Sequence, residues 1–328
     1  GRTALRSGPS GRRSASAQHD FWKAVNKGAE QAADEFGAKI TFVGPQNETA
    51  IAEQLEQLNN AINKNPDAIA LAALDTESEL DAIKQAQAKN IPLIGFDSGV
   101  PGAPDGAIKA TASTDNHAAG ANAAEHLFPL LEKKLGDKPV RIGVVSQEAN
   151  SLSITQRTSG FIDKMVELLE KKGIKTAVVG HDKFKNNVSE SDAKAIIEVR
   201  VPAQVDDAAG KTEASTVLEK SDTVAIYGSN EFAAKAIINA NGSFKESKLG
   251  ADKILAVGFD SGALQQDAIR NGLFVGSVTQ DPIQIGYQSV KLAIEAAQGK
   301  EVKDVDTGSK WYDAKNIDSD EIKPLLYQ

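Results

Sequence analysis

The 328-residue sequence contains no cysteine, one methionine and only four histidines. The absence of cysteine excludes disulfides, thiolate metal sites and a cysteine nucleophile. The histidines do not follow the HExxH spacing, so no zinc site is predicted. No apolar run reaches 18 residues, which argues against a membrane-spanning helix. What remains is a chain with 41% hydrophobic and 25% charged residues, a composition typical of a globular protein.

The net charge of −8 argues against a protein that holds nucleic acid through phosphate contacts. Neither of the glycine-rich phosphate motifs, GxGxxG and GxxxxGKS/T, occurs in the sequence. The length favours two domains of ordinary size. No signal peptide is visible and the chain starts at Gly1, so we interpret it as a mature or trimmed form.

Helical and strand patterns alternate from residue 20 onward. Phe21, Val25 and Ala29 recur on one face and predict a helix from Asp20 to Phe36. Short apolar runs predict strands that are buried on both faces, and the pattern restarts near residue 140. Such repetition predicts two α/β units in tandem, each with a parallel, doubly wound sheet. The predicted strands are Lys39–Val43, Ala68–Leu74, Ile91–Phe96, Val140–Val145, Lys175–Val179, Thr223–Tyr227, Ile254–Phe259 and Phe274–Thr279.

Two stretches depart from this pattern. Residues 1–18 are rich in Arg, Ser and Gly, which predicts a disordered or foreign segment and leaves the first unit without an opening strand. The segment Asp182–Lys220 separates two predicted strands by more residues than one helix requires, and Pro202 breaks any helix through it. We therefore expect the second unit to carry a decoration there.

Ligands of open α/β sheets bind beyond the carboxyl ends of the strands, so residues at those ends are the candidates for a site. They combine carboxylates, amides, an arginine and two aromatic rings, a set that suits a polyhydroxylated ligand. Each hydroxyl can donate to a carboxylate and accept from arginine or an amide, while an aromatic face covers the C–H face of a sugar ring. The ligand-binding candidates are His19, Phe21, Trp22, Asp97, Ser98, Arg157, Ser229, Asn230, Asp260 and Gln280.

Each candidate also has a structural interpretation. Phe21 and Trp22 are adjacent and cannot both face one core from a helix, so either one faces a ligand or both are structural. Asp97 and Asp260 follow strands, a position where aspartate often caps a helix. Arg157 also suits a solvated helix face or a surface ion pair. It is the joint placement at strand ends that favours a site.

The segment GFDSG occurs at Gly95–Gly99 and again at Gly258–Gly262, each time with its aspartate just past an apolar strand. With these segments the chain resembles the periplasmic sugar-binding proteins of ABC transporters, in particular the ribose-, galactose- and allose-binding group. The resemblance runs from about residue 19 to the end. It includes HDFWKAVNKGAEQAA, NPDAIALAALD, TASTDNHAAG, QRTSGF, AIYGSNEFAAKA and GSVTQDPIQIGYQSV.

The resemblance implies an α/β fold of two Rossmann-like lobes with parallel sheets, joined by three hinge segments, with sugar between them. The N-terminal lobe is expected to comprise residues 19–113 and 281–305, and the C-terminal lobe residues 114–280 and 306–328. Ring stacking is implied for the two aromatic candidates. Polar contacts are implied for His19, Asp97, Arg157, Asp260 and Gln280, and the second-lobe amide position falls on Ser229, beside Asn230.

Two departures from the ribose binder argue against ribose itself. Ser98 stands where that protein has an arginine, and Ser229 stands where it has an amide. A further aromatic contact from the second lobe has no secure counterpart, and Phe184 is the candidate for it.

We therefore expect an extracytoplasmic solute-binding protein that captures a pentose or hexose and delivers it to an ABC permease. The resemblance implies a monomer that is not an enzyme and has neither cofactor nor metal nor nucleic-acid partner. It implies a location in a periplasm or at the outer face of the cytoplasmic membrane, with membrane contact only through the permease or a removed lipid anchor.

Three alternatives remain at this point. The ligand can be a sugar-like signal such as autoinducer-2, or inositol. A sugar-responsive repressor shares the fold but needs an N-terminal helix-turn-helix, and only unpatterned residues precede the first helix here. A sugar-processing enzyme would use Asp97 and Asp260 as acid and base, but neither a nucleophile nor a phosphate loop accompanies them.

Overall fold

The computed structural model describes residues 2–6, 15–45, 50–100 and 102–327, with the backbone alone for residues 2–6 and 15–19. It divides into two compact units. The first comprises residues 1–115 and 281–308, and the second comprises residues 116–280 and 309–328, so the chain passes between them three times. The expected lobe boundaries differ from these junctions by at most three residues.

Helices and strands alternate along the described chain, as the sequence pattern predicts. Up to residue 115 the elements are β1 (Arg2–Arg6), α1 (Ala15–Phe36), β2 (Lys39–Val43), α2 (Ile51–Asn63), β3 (Ala68–Leu71), α3 (Thr76–Ala88), β4 (Leu93–Phe96) and β5 (Ile108–Ser113). Those that follow are α4 (Asn116–Glu132), β6 (Val140–Val145), α5 (Leu152–Lys171), β7 (Thr176–Val179), β8 (Ala195–Arg200), α6 (Asp207–Leu218), β9 (Thr223–Gly228), α7 (Glu231–Gly242), β10 (Leu255–Phe259), α8 (Ala263–Arg270), β11 (Phe274–Gln280), α9 (Pro282–Ala297), β12 (Val305–Asp306) and β13 (Ser309–Tyr312).

The sheet of the first unit is parallel and has the strand order β12-β5-β4-β3-β1-β2. Because β1 lies inside this sheet and α1 begins at Ala15, the expected disorder of residues 1–18 is wrong for residues 2–6 and 15–18, and the unit does have an opening strand. Residues 7–14 lie outside the described residues. The apolar content of β1 is low, but an interior strand gains backbone hydrogen bonds on both sides, which outweighs weak strand propensity.

The sheet of the second unit has the strand order β13-β11-β10-β9-β6-β8-β7 and is parallel except for β13, which runs antiparallel to β11. Strand β8 and helix α6 both lie inside the segment Asp182–Lys220, with Pro202 in the connection between them. The segment is therefore an ordinary strand and helix of the fold, and the expectation of a decoration is wrong. Two charged residues in β8, Glu198 and Arg200, hide the strand character of this sequence, although every residue of β8 except Arg200 is buried.

Glycines bring the backbones of paired helices close together. A Cβ on Gly120 of α4 would lie 2.2 Å from the carbonyl oxygen of Arg157, and a Cβ on Gly160 of α5 would lie 2.0 Å from that of His117. The first unit repeats the arrangement, where Gly28 of α1 faces Gly286 of α9 in the same reciprocal way. The close approach of α4 and α5 fixes where the backbone of Arg157 lies.

None of the described helices is both long and apolar enough to cross a membrane.

Candidate functional site

The two copies of GFDSG share an unusual backbone conformation. Asp97 follows β4 with a φ of 59°, and Asp260 follows β10 with a φ of 71°. Left-handed backbone is uncommon for residues other than glycine, and it clusters at functional sites. Neither aspartate caps a helix: β5 is the next element after Asp97, and the N-cap of α8 is Gly262. The interpretation of these residues as helix caps is therefore wrong.

In the first unit, three aromatic rings pack together near the end of β4. Phe21 and Trp22 are 0% and 8% exposed, so both pack in the interior. The Trp22 ring makes edge contacts with Phe21 at 4.9 Å and with Phe96 at 6.0 Å between centroids. Among the described residues, the Trp22 indole N–H has no hydrogen-bond partner, which is rare for a buried donor. Phe96 is the last residue of β4 and the buried Asp97 follows it, so the ring cluster and this aspartate both belong to the same end of the strand.

Two further candidates belong to the first unit. Ser98 is exposed, in the turn that follows β4. His19 lies in α1, and its side chain is outside the described part of the structure.

In the second unit, three contacts hold the guanidinium of Arg157, which is 3% exposed. Its Nε donates to the Asn116 side-chain oxygen at 3.0 Å, and its Nη1 lies 3.3 Å from Oδ2 of Asp260. Its central carbon lies 4.1 Å from the ring centroid of Phe259, a cation–π contact. The group is therefore held inside the unit, and the interpretation of Arg157 as a solvated or surface-paired residue is wrong.

The backbone of Arg157 is also held. Its carbonyl oxygen accepts a 3.2 Å hydrogen bond from the hydroxyl of Tyr227, whose ring stacks on Phe161 at 4.1 Å. Burial raises the pKa of Tyr227 far above its usual value, so the hydroxyl remains neutral and remains a donor.

The carboxylate of Asp260 accepts three hydrogen bonds. Oδ2 accepts from Arg157 and from the backbone N–H of Glu231, each at 3.3 Å, and Oδ1 accepts from the Tyr327 hydroxyl at 2.8 Å. Glu231 is the first residue of α7, and a helix N-terminus stabilises a negative charge. The Asp260 side chain still keeps 13% of its surface exposed, so a small ligand can reach it.

Other second-unit candidates have structural partners. The Ser229 hydroxyl, fully buried, donates to the Val145 carbonyl at 3.4 Å. The Asn230 oxygen caps α7 through the N–H of Ala233, and its amide group donates to Gln147 at 2.8 Å. Gln280, 2% exposed, ends β11. The structure thus brings Arg157 and Asp260 together directly, whereas Asn230 serves a cap that sequence reasoning missed.

Sequence analysis missed the residues that support this ion pair. Asn116 lies in the quoted segment TASTDNHAAG, just after β5, so its position at a strand end was a usable signal. Phe259 precedes its aspartate in GFDSG. Tyr327 gave no signal, because it lies 67 residues from Asp260 in the chain.

The side chains of Arg157, Asp260 and Asn116 together are suited to bind the hydroxyl groups of a ligand. They offer a charged donor, a carboxylate and an amide in a desolvated setting, where hydrogen bonds to charged groups are strong. Within the described residues, the acidic and histidine side chains form no group of three suited to a metal ion.

Comparison with known proteins places the chain in a family. Residues 14–301 match the model of a periplasmic binding protein domain. The D-allose-binding periplasmic protein of Escherichia coli (strain K12) is 24% identical over 304 residues, which cover 91% of this chain and 86% of that protein.

Solved structures agree with this assignment. One described as an ABC transporter, LacI family transcriptional regulator from Brachyspira murdochii is 38% identical with a TM-score of 0.79, covering 100% of this chain and 98% of that chain. An ABC transporter solute-binding protein from Agrobacterium vitis with bound D-fucose is 27% identical with a TM-score of 0.65, covering 100% of both chains. The predicted fold class and the resemblance are thereby confirmed, and the chain belongs to the periplasmic binding protein family.

Proposed function

We propose that this protein binds a neutral monosaccharide, a pentose or a hexose, and delivers it to an ABC permease. The observation that carries the proposal is the Arg157–Asp260 pair, with side chains 4% and 13% exposed. The positive charge of the arginine is balanced by its partner, so the pair offers donors and acceptors without a net charge. That balance suits hydroxyls better than a phosphate or a carboxylate.

The relatives support a sugar as the ligand. The Escherichia coli relative is named for D-allose, and the Agrobacterium vitis structure contains D-fucose. Both are neutral sugars, the kind of ligand that the charge balance of the Arg157–Asp260 pair favours.

We also propose that groups of the first unit contact sugar. Trp22 keeps 8% of its surface exposed and lies near the end of β4, which Asp97 follows, and an aromatic ring with a carboxylate suits a sugar ring with its C–H face and its hydroxyls. The protein acts by binding alone, without catalysis.

The proposed setting follows from the family. We place the protein outside the cytoplasm, in a periplasm or at the outer face of the membrane, as a monomer that meets the membrane through its permease. Light scattering coupled to gel filtration tests the monomer, and fractionation of the source cells tests the location.

A thermal-shift screen tests the ligand class. The panel contains D-allose, D-fucose, D-ribose, D-galactose, myo-inositol, autoinducer-2 and the anionic D-glucuronate. A ligand of the native state stabilises it by about 2.7 kcal/mol at a hundredfold excess over Kd. A shift with a neutral sugar supports the proposal. A shift with D-glucuronate alone contradicts it, and so does the absence of any shift in folded protein that has been freed of carried-over ligand.

Substitution then tests the site. Asp260→Asn leaves Arg157 without its balancing charge, so we expect calorimetric affinity for the sugar found in the screen to fall at least about tenfold. The control is Asp318→Asn, which breaks the exposed ion pair with Arg270. Equal affinities of parent and Asp260→Asn would place the site elsewhere.

A further inference from the structure

Tyr327, the last residue that the structure describes, returns to the proposed site. Its side chain is 1% exposed, and its hydroxyl donates to Oδ1 of Asp260 at 2.8 Å. Its backbone N–H donates to the Ser261 hydroxyl at 3.0 Å, and that hydroxyl lies 3.2 Å from the Tyr327 carbonyl oxygen. These two contacts with Ser261 fix the backbone of Tyr327. The Tyr327 hydroxyl points at the Asp260 carboxylate.

The other atoms of Asp260 are also engaged. Its carbonyl oxygen accepts from the Tyr312 hydroxyl at 2.6 Å and from the Ser277 hydroxyl at 3.0 Å, and its N–H donates to Val278 at 2.8 Å. Burial raises the pKa of Tyr312 well above its usual value, so this hydroxyl also stays a neutral donor. A left-handed aspartate persists only where its surroundings determine it several times over, and these contacts do so.

The Tyr327 hydroxyl makes the shortest of the contacts to the carboxylate. The two donors to Oδ2, from Arg157 and Glu231, both lie at 3.3 Å, whereas the bond to Oδ1 is 2.8 Å. Because the Tyr327 hydroxyl engages Oδ1 while Arg157 and Glu231 engage Oδ2, Tyr327 constrains the rotation of the carboxylate about its Cβ–Cγ bond. A ring that only filled space would need no hydroxyl there, since phenylalanine has the same shape.

We propose that Tyr327 is a positioning residue of the sugar site, which orients the Asp260 carboxylate so that it meets both Arg157 and a sugar hydroxyl. This inference rests on the proposed function for its ligand, but the orientation itself exists without one.

The test uses the full chain with Tyr327→Phe, which removes one oxygen and keeps the buried ring. Tyr287→Phe is the matched control, because the Tyr287 hydroxyl also donates to a carboxylate, that of Glu35, in the first unit. Circular dichroism establishes that both variants are folded. In ligand-free crystals we expect the Asp260 carboxylate of Tyr327→Phe to rotate and its contact with Arg157 to lengthen. An unchanged carboxylate would overturn the proposal.

Calorimetry with D-allose, D-fucose, D-ribose and D-galactose supplies the second readout. For each sugar that the parent binds, we expect Tyr327→Phe to weaken affinity about tenfold and Tyr287→Phe to leave it unchanged. A rotated carboxylate with unchanged affinity would also overturn the proposal. If the parent binds none of the panel, the proposed function fails, while the crystal comparison still decides whether Tyr327 orients Asp260.

Discussion

Asn116, the first residue of α4, accepts a 3.0 Å hydrogen bond from Nε of Arg157 through its side-chain oxygen. Asp260 takes a different nitrogen of the same guanidinium, and the ring of Phe259 covers its face. The three contacts constrain the group from separate directions. Asn116 lies on another helix and is only partly buried, so its loss should affect the orientation of Arg157 more than the stability of the fold.

We therefore expect Asn116→Ala to weaken binding of the sugar identified by the screen about fivefold to tenfold, because Arg157 loses an acceptor that fixes its plane. The melting temperature should change little. Asn122→Ala is the matched control, since Asn122 lies on the same helix and donates to the Ser309 hydroxyl. Calorimetry on the three proteins measures the difference, and equal losses in both variants would deny Asn116 a specific role.

Much of the fold could be predicted from the sequence because its strands are apolar and its helices amphipathic. The prediction for Val140–Val145 matches β6 residue for residue, and every residue of that strand is buried. The prediction of strands failed where a buried strand contains charged residues that are stabilised by tertiary contacts. Strand β8 contains Glu198, whose burial depends on cations from β6 and from the end of α6, and no local pattern shows such partners.

The candidate site divides in the same way. Topology alone places Asp97 and Asp260 at strand ends, so their positions could be predicted. Their partners could not, because the donors that reach Asp260 come from α5, α7 and the distant Tyr327. Asn230 also follows a strand, β9, but its side chain serves as the N-cap of α7.

The partners of Glu198 give a prediction on stability. Glu198 is 3% exposed and lies 2.7 Å from Nη1 of Arg141 and 2.6 Å from Nζ of Lys220. Removing Glu198 leaves the buried Arg141 with the half-buried Asp222 as its remaining acidic partner, so Glu198→Leu should lower the free energy of unfolding of the second unit by about 3 kcal/mol. Urea unfolding followed by the fluorescence of Trp311, in a Trp22→Phe background, measures that unit. A much smaller loss is expected for the control Glu167→Gln, in an exposed pair with Lys164.

The contact between α4 and α5 gives a prediction on packing. Because a Cβ on Gly160 would lie 2.0 Å from the carbonyl oxygen of His117, the helices must separate to admit it. We expect Gly160→Ala to lower the free energy of unfolding by about 2–3 kcal/mol and to weaken sugar binding, because Arg157 lies on the same helix. Gly242→Ala is the control: nothing lies within 4 Å of that Cβ at the end of α7, so a neutral or slightly stabilising effect is expected. Equal melting curves for the parent and Gly160→Ala would show that α4 and α5 can separate without loss of stability.

Glu79 gives a prediction on pH. Its side chain is fully buried and neither carboxyl oxygen has a hydrogen-bond partner among the described residues; burial, with the nearby Asp75, raises its pKa from 4.5 to about 7. Below pH 4.5 the group is protonated in both states. As the pH rises from 4.5 to 7, Glu79 ionises in the unfolded chain but stays protonated in the folded protein. The free energy of unfolding therefore falls by about 3 kcal/mol in total over this range and changes no further above it. Glu79→Gln should remove this decline, whereas Glu77→Gln, exposed on the same helix, should retain it. Urea unfolding from pH 5 to 8, followed by Trp22 in a Trp311→Phe background, measures the first unit. Parallel pH profiles for the parent and Glu79→Gln would show that Glu79 is ionised at neutral pH in the folded protein.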